Sequence, residues 1–203
     1  MIRILAVPLS QLPPRESLCD AIPSEWLHVW QKQHASCHRE EQARASLGGL
    51  WLLLRLGYAG GIAYTENGRP VATEPRMDFS ITHTRSFVFC ALAEGEKGIR
   101  IGLDAEAVST YPRERMERLC DRWFSEGERA FWKEAPTEER FTELWTKKEA
   151  VVKRSGEGLC AVAGTDVTDP TEAFAVYRCG DHMVTLCHPR EEAPPQDIEW
   201  AEG

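Results

Sequence analysis

The sequence predicts an α+β fold of two similar halves related by a pseudo-twofold axis, each a small antiparallel sheet packed against a long helix. Residues 39–56 have apolar residues at helical spacing, residues 137–154 have a helix-capping start and a glycine stop, and short β-like runs accompany both segments. The length of 203 residues suits one ordinary domain or two small ones. We expect an N-terminal half over residues 1–100, a C-terminal half over 101–190 and a flexible acidic tail over 191–203. The order of the elements is compatible with an internal duplication and does not establish one.

The first half has one long helix followed by short strands. Apolar residues recur at three- and four-residue intervals between Arg39 and Leu56, so this segment should be a helix with one face in the core. Gly57 ends the helix, and the Asn-Gly-Arg-Pro sequence at residues 67–70 predicts a tight turn. We expect three β-like runs to form one antiparallel sheet, at residues 77–82, 87–93 and 99–103.

The second half repeats this plan. Residues 111–123 predict a helix, and Ser125 with Glu128 has the spacing of a capping box at the start of the next helix. Thr137 can cap a long helix with an acidic first turn, which should end near Arg154 at a Ser-Gly pair. Two final runs, residues 173–179 and 183–188, flank a Gly-Asp pair in the manner of a β-hairpin.

Charge and hydropathy exclude several function classes. The first 100 residues carry eleven Lys/Arg and ten Asp/Glu, whereas the rest of the chain carries thirteen and twenty-two. Such a chain lacks the positive field that nucleic-acid binding needs, so nucleic acid is not an expected partner. The longest apolar stretch, residues 47–54, is far shorter than the roughly 18 residues that span a membrane, and the start of the chain does not resemble a secretory signal. We expect a soluble cytoplasmic protein with no membrane partner.

Three carboxylates stand out by their positions. Asp104 and Glu106 end an apolar run, and a spacing of two points both side chains to one side of an extended backbone. Glu149 lies in a predicted helix that carries three lysines, Lys148 and Lys153 among them. Convergent carboxylates suit Mg²⁺, and the lysines could hold the phosphate groups that complete its shell. The ordinary alternative is that the strand-end acids are solvated and that Glu149 with Lys153 is a common helical ion pair.

Longer strings around these residues are more specific. Gly102-Leu-Asp104-Ala-Glu106 and, later in the chain, Trp145-Thr-Lys-Lys-Glu149-Ala-Val-Val-Lys153 resemble the paired signature of the Sfp-type 4′-phosphopantetheinyl transferases. Four further strings are similar to family elements and occur in the family's order: Ala43-Arg44-Ala-Ser-Leu47-Gly48, Gly68-Arg69-Pro70, Phe79-Ser-Ile-Thr82-His83-Thr84 and Gly156-Glu-Gly158-Leu159.

The resemblance implies both a fold and an activity. The fold would have two α+β halves in one chain, with coenzyme A bound in the cleft between them. The activity would be Mg²⁺-dependent transfer of the 4′-phosphopantetheine arm of coenzyme A to a serine hydroxyl of an apo acyl or peptidyl carrier protein, with release of adenosine 3′,5′-bisphosphate. By the same resemblance, the metal ligands would be Asp104, Glu106 and Glu149. The coenzyme-binding residues would be Lys148 and Lys153 at the pyrophosphate and Arg44, Arg69, Thr82 and His83 at the 3′-phosphate and adenosine end.

Glu149 is the expected general base, acting directly or through a water molecule, and Asp104 and Lys153 complete the expected catalytic set. Two other functions stay open: a metal-dependent coenzyme A pyrophosphohydrolase and a non-catalytic carrier-binding protein. The arginine-rich segment 111–123 could dock an acidic carrier, or it could be an amphipathic helix with a solvated face. Two halves in one chain predict a monomer, because no second copy is needed to build the cleft.

Overall fold

The computed structural model describes residues 1–34, 40–96, 98–108, 111–158, 165–168, 171 and 173–202. Within these ranges the chain forms six helices and nine strands, which confirms the predicted α+β class. The helices are α1 (Arg15–Ala21), α2 (Ser24–Gln33), α3 (Glu40–Arg55), α4 (Arg113–Trp123), α5 (Glu126–Glu134) and α6 (Glu138–Ser155). The strands are β1 (Ile2–Pro8), β2 (Ile62–Tyr64), β3 (Pro70–Ala72), β4 (Met77–His83), β5 (Phe87–Glu94), β6 (Gly102–Ala107), β7 (Ala173–Cys179), β8 (His182–His188) and β9 (Glu199–Trp200).

The first sheet has the strand order β4-β5-β1-β9 and packs against α3. Strand β5 lies between β4 and β1 and pairs with both of them antiparallel. Helix α3 matches the predicted helix, and its buried residues include Ala43, Leu47 and Leu50 from the apolar stripe. Gly57 follows the helix with a φ of 92°, a left-handed conformation that glycine adopts without strain.

The second sheet has the order β6-β8-β7 and packs against α6. Both predicted start signals are present: the Ser125 side chain caps α5 in a capping box with Glu128, and the Thr137 side chain caps α6. Gly156 ends α6 in the left-handed conformation. The predicted hairpin is confirmed, since β7 and β8 pair antiparallel around the turn at Gly180.

One sequence prediction about the sheets is wrong. The third β-like run, residues 99–103, does not join the first sheet; the strand begins at Gly102 and pairs with β8. Period-two patterning marks a strand, but the choice of partner depends on residues far away in the chain.

The segment predicted as a flexible acidic tail, residues 191–203, contains strand β9, which pairs parallel with β1. Glu199 forms an ion pair with Arg3 at 2.7 Å, Trp200 contacts the ring of Phe87, and Ala201 is buried. The many acids and prolines of this segment indicated flexibility, although a few of its residues pack against the first sheet. None of the described helices is long and apolar enough to cross a membrane.

Candidate active site

Strand β6 and helix α6 bring the predicted acidic and basic residues together. The two backbones approach closely at Gly102, where a Cβ would lie 1.9 Å from the carbonyl oxygen of Ala150. Two turns of helix therefore lie directly against the strand that carries Asp104. The ammonium of Lys153 lies 2.8 Å from Oδ1 of Asp104, and this carboxylate is almost completely buried. The two strings that resemble the family signature thus meet at one place.

The other two acids share this environment. Burial raises the pKa of Glu149 to about 7, with a further increase from the charge of Asp104 and an opposing effect of Lys153. Burial likewise raises the pKa of Glu106 to about 7; Asp104 and Glu149 add to this increase, while Lys153 and Arg115 oppose it. Both glutamates therefore respond to the charges of Asp104 and Lys153.

The cluster has the donor chemistry for a hard divalent cation. Oδ1 of Asp104 accepts hydrogen bonds from Thr82 Oγ1 at 3.2 Å and from Lys153, whereas Oδ2 is buried with no hydrogen-bond partner among the described residues. A buried carboxylate oxygen without a partner is costly unless a cation or water meets it. In the described part of the chain no three His, Cys, Asp or Glu side chains already converge at metal-ligand distances. Asp104, Glu106 and Glu149 fit Mg²⁺ by their chemistry and burial, and the two half-buried glutamates must move toward Asp104 to bind the same ion.

Two members of the site were missed by sequence reasoning. The hydroxyl of Tyr111 has a raised pKa, first because of burial and then because of Glu106, with smaller increases from Asp104 and Glu149. The guanidinium of Arg115 packs over the ring of Tyr111 at 4.4 Å from its centroid, and its charge acts on Glu106. No local motif marks either residue, because both reach the acids only through the placement of α4.

A cleft of about 230 Å³ adjoins this cluster between β4 and the end of α6. It is lined by the β2–β3 turn, the middle of β4 and the end of α6, through Asn67, Gly68, Arg69, Pro70, Phe79, Ser80, Ile81, Val152, Lys153, Gly156 and Gly158. Asn67 closes one rim by donating a hydrogen bond to the carbonyl oxygen of Gly156 at 2.8 Å. Leu159, the last residue of the family-like string, lies outside the described residues.

Arg69 and Lys153 are cations that line this cleft, and His83 lies near Lys153. Nη2 of Arg69 donates to Oδ2 of Asp78 at 2.6 Å and to the carbonyl oxygen of Ile101 at 3.0 Å. Its buried Nε has no partner among the described residues. The imidazole of His83 lies exposed at the end of β4. Its pKa is lowered, first by partial loss of hydration and then by the charge of Lys153, while Asp104 opposes this effect.

The predicted role of Lys148 at the pyrophosphate is wrong. Its ammonium is fully buried and contacts both carboxylate oxygens of Glu128, at 2.9 and 2.7 Å, as well as the carbonyl oxygen of Thr165 at 2.6 Å. Glu128 also accepts hydrogen bonds from the backbone N–H groups of Ser125 and Val167. Lys148 therefore ties α6 to the start of α5, and no donor is left over for a ligand.

Arg44 is also placed away from the cleft. Its guanidinium donates to the backbone carbonyl oxygens of Leu9, Leu12 and Pro13, which fixes the loop between β1 and α1 against α3. The predicted contact with the adenosine end of coenzyme A is therefore not supported. Arginine on a helix can satisfy loop carbonyls as readily as phosphates, and the sequence string does not distinguish these uses.

Comparisons with known proteins agree with this arrangement. The profile of a family described as the 4′-phosphopantetheinyl transferase superfamily matches residues 100–188. The 4′-phosphopantetheinyl transferase AcpT of Salmonella typhi is 34% identical over 144 residues, which cover 67% of this chain and 71% of that protein. AcpT of Escherichia coli O157:H7 is 32% identical over 150 residues, covering 70% of this chain and 73% of that protein. HetI of Nostoc sp., named as the same kind of transferase, is 27% identical over 117 residues, covering 54% and 47%. Together with the carboxylate cluster of β6 and α6, these matches show that the chain belongs to the 4′-phosphopantetheinyl transferase superfamily.

Proposed function

We propose that this chain transfers the 4′-phosphopantetheine arm of coenzyme A to a serine hydroxyl of an apo carrier protein and releases adenosine 3′,5′-bisphosphate. The observation that carries the proposal is the clustering of Asp104, Glu106 and Glu149 around Lys153, beside a cleft between β4 and the end of α6. Attack of an alcohol on a diphosphate requires neutralised charge and an aligned nucleophile, and this cluster can supply both.

Asp104, Glu106 and Glu149 would hold Mg²⁺, with the unpartnered Oδ2 of Asp104 as the anchoring ligand. When bound, the ion would supply positive charge to the diphosphate of coenzyme A and to the oxygen that leaves it. Lys153, whose side chain is 30% exposed, can reach from Asp104 toward a diphosphate in the adjoining cleft. Its pairing with Asp104 supports this role, because the other two lysines of the family-like string pair with Glu143 and Glu128.

The proton of the attacking serine goes to Glu149 in this proposal. The serine oxygen forms a bond to the phosphorus that carries pantetheine, the bond from that phosphorus to the bridging oxygen breaks, and the bisphosphate leaves with that oxygen. In the chain without a cation, burial and the charge of Asp104 raise the pKa of Glu149 to about 7, so this carboxylate takes up a proton more readily than an exposed glutamate does. Glu106 has a similarly raised pKa and is assigned here to the metal ion alone.

The remaining residues of the cleft would orient coenzyme A. Arg69 lines the cleft as a cation, and His83 stands close to Lys153 and Asp104 at the end of β4. Both side chains can donate hydrogen bonds to phosphate oxygens. We assign them to the 3′-phosphate and adenosine end, which lies farther from the reacting phosphorus.

The carrier would dock on α4, next to the acids. An open groove of about 780 Å³ along this helix is lined by Arg115, Arg118, Leu119, Asp121 and Arg122. Arg115 links the groove to the site through its effect on Glu106. An acidic carrier helix lying in the groove would bring its serine toward Glu149, and a single chain would suffice to build both surfaces.

The test is the substitution Glu149→Gln in the full-length chain. Turnover with coenzyme A, Mg²⁺ and apo carrier should fall by about 10²- to 10⁴-fold, because the base is lost. Binding of coenzyme A, measured by calorimetry, should persist, since the cleft is unchanged. The product is identified by mass spectrometry as a carrier that has gained phosphopantetheine.

The matched control is Glu143→Gln, on the same helix and paired with Lys147 at 2.5 Å. It should retain turnover. Full activity of Glu149→Gln would refute the assignment of the base. Cleavage of coenzyme A without any acceptor protein would instead indicate a pyrophosphohydrolase, and binding of carrier without reaction would indicate a non-catalytic protein.

A further inference from the structure

The four-stranded and the three-stranded sheet meet at their edge strands, β4 and β6, which contact each other. Three polar residues, Asp78, Ser80 and Thr82, alternate along β4 and therefore share one face of the strand. All three are buried, with 1%, 4% and 5% of their surfaces exposed. Buried polar side chains in a row require partners, and these partners lie on β6 and in the residues just before it.

The contacts form a ladder of side-chain bonds between the strands. Oδ2 of Asp78 accepts from the backbone N–H of Ile101 at 2.9 Å, and Oγ of Ser80 accepts from the backbone N–H of Leu103 at 2.9 Å. The third contact has a different form, because Thr82 Oγ1 donates to the carboxylate of Asp104 at 3.2 Å. Side chains of β4 thus accept the backbone hydrogen bonds that a neighbouring strand would otherwise accept at this edge of the second sheet.

The ladder controls where Asp104 lies. The hydroxyl of Ser80 binds the backbone N–H of Leu103, the residue immediately before Asp104. This bond therefore fixes the position of β6 along β4. Thr82 and Lys153 both donate to Oδ1 of Asp104, which leaves the buried Oδ2 without a hydrogen-bond partner among the described residues. A metal ligand held in this way depends on the groups behind it for its orientation.

We propose that Ser80 is a positioning residue for Asp104: by accepting the Leu103 N–H, it fixes β6 so that Oδ2 of Asp104 is presented to the divalent cation. The role rests on the proposed function, because it concerns the cation site of that reaction. Ser80 also lines the cleft, so a direct contact with coenzyme A is the competing explanation, and the test must separate the two.

The experiment measures Mn²⁺ binding to the full-length chain by electron paramagnetic resonance, without coenzyme A. Ser80→Ala should weaken Mn²⁺ binding by roughly tenfold to a hundredfold, the range typical for loss of a group that orients a metal ligand. Ser80→Thr keeps the acceptor oxygen and should restore most of the affinity. The KM for coenzyme A should change less than the Mg²⁺ concentration needed for half-maximal rate.

A control variant accounts for the general effect of losing a buried hydroxyl. Thr142 is buried on α6 and donates to the carbonyl oxygen of Glu138 at 2.8 Å, so Thr142→Val removes a comparable group with no link to Asp104. This variant should bind Mn²⁺ as the wild type does, at whatever cost to its unfolding temperature.

Unchanged Mn²⁺ affinity in folded Ser80→Ala would overturn the proposal, as would a raised KM for coenzyme A with normal Mn²⁺ binding. If Ser80→Ala does not fold, equal Mn²⁺ affinities of Ser80→Thr and the wild type, together with a loss in Thr82→Val, would support it. Wild-type protein that binds Mn²⁺ but modifies no carrier would contradict the proposed function, while the difference between the two Ser80 variants would still support the positioning role.

Discussion

Glu106 and Glu149 show that a cation site built from carboxylates destabilises the folded chain when no cation is bound. Both have a pKa near 7 because they are buried and lie close to Asp104, and Lys153 offsets only part of this effect. In the absence of a bound cation, ionising them opposes folding. Sites that hold like charges in this way typically reduce stability in favour of activity.

This cost predicts a pH-dependent gain in stability for Glu149→Gln. The pKa of Glu149 in the folded chain is about 7, above its ordinary value of 4.5, so between these values the folded state holds more protons than the unfolded state. Stability contributed by this group therefore falls as pH rises from the ordinary value through the folded one. Glu149→Gln should raise the free energy of unfolding by about 1 to 3 kcal/mol at pH 8 and change it little at pH 5. Urea unfolding with a chelator present measures both values, and an equal change at the two pH values would contradict the explanation.

Lys148 and Lys153 illustrate how helical phase separates residues of the same type. One residue of an α-helix turns by about 100°, so residues 148 and 153 point about 140° apart while 149 and 153 share a face. Lys148 accordingly enters the core with Glu128, and Lys153 reaches Asp104. Phase alone could have separated the two lysines, whereas the partner Glu128 could not be identified from local sequence.

The contact between β6 and α6 depends on the absence of a side chain at Gly102. An alanine Cβ at this position would lie 1.9 Å from the Ala150 carbonyl oxygen and 2.6 Å from the backbone nitrogen of Arg154, and neither backbone atom can rotate away. The strand and helix would have to separate, which moves Asp104 relative to Glu149 and Lys153.

Gly102→Ala should therefore reduce both stability and activity. Overpacking of this kind costs about 1 to 3 kcal/mol in the free energy of unfolding. We also expect weaker binding of Mn²⁺, since ligands from two elements no longer meet. Chemical denaturation and electron paramagnetic resonance measure the two effects. A variant with wild-type stability would show that the close approach is dispensable.

The whole chain carries a formal charge of −8, and most of the excess acid lies in the half that includes α4. An acidic carrier would be repelled by such a surface unless a local region has the opposite charge. Helix α4 is the region that we propose: it has four arginines against three acids, three of the arginines line the open groove, and Met116 and Cys120 are buried.

Reversing two of these charges should weaken carrier binding selectively. Arg118→Glu with Arg122→Glu should raise the KM for an acidic apo carrier by roughly tenfold and reduce its dependence on salt, because electrostatic attraction is lost. The KM for coenzyme A should stay constant, since neither residue lines the cleft. Arg55→Glu, at the end of α3, is the control and should not change either constant. An unaltered carrier KM in the double variant would exclude α4 as the docking surface.

Features that depend on neighbouring residues were predictable from the sequence. The apolar spacing of α3, the caps of α5 and α6, the turn at Gly180 and the acids at residues 104, 106 and 149 each follow from a local pattern. Strand β1 and the short strands β2 and β3 were not assigned, because β1 lies at the chain start without a turn before it and the other two have three residues each. The docked tail was missed for the same reason, since a two-residue strand has no periodicity.

Contacts between distant segments were settled by folding. The pairing of β6 with β8, the burial of Lys148, the use of Arg44 on loop carbonyls and the ladder from β4 to Asp104 all join residues far apart in the chain. Such contacts form because buried polar groups require hydrogen-bond partners and apolar faces must be removed from water. Many residues of the chain could meet these requirements, so the sequence alone does not identify the partner. Local sequence motifs therefore identified the side chains that could perform the chemistry. Tertiary packing decided that Lys153 reaches Asp104, whereas Lys148 and Arg44 bind elsewhere.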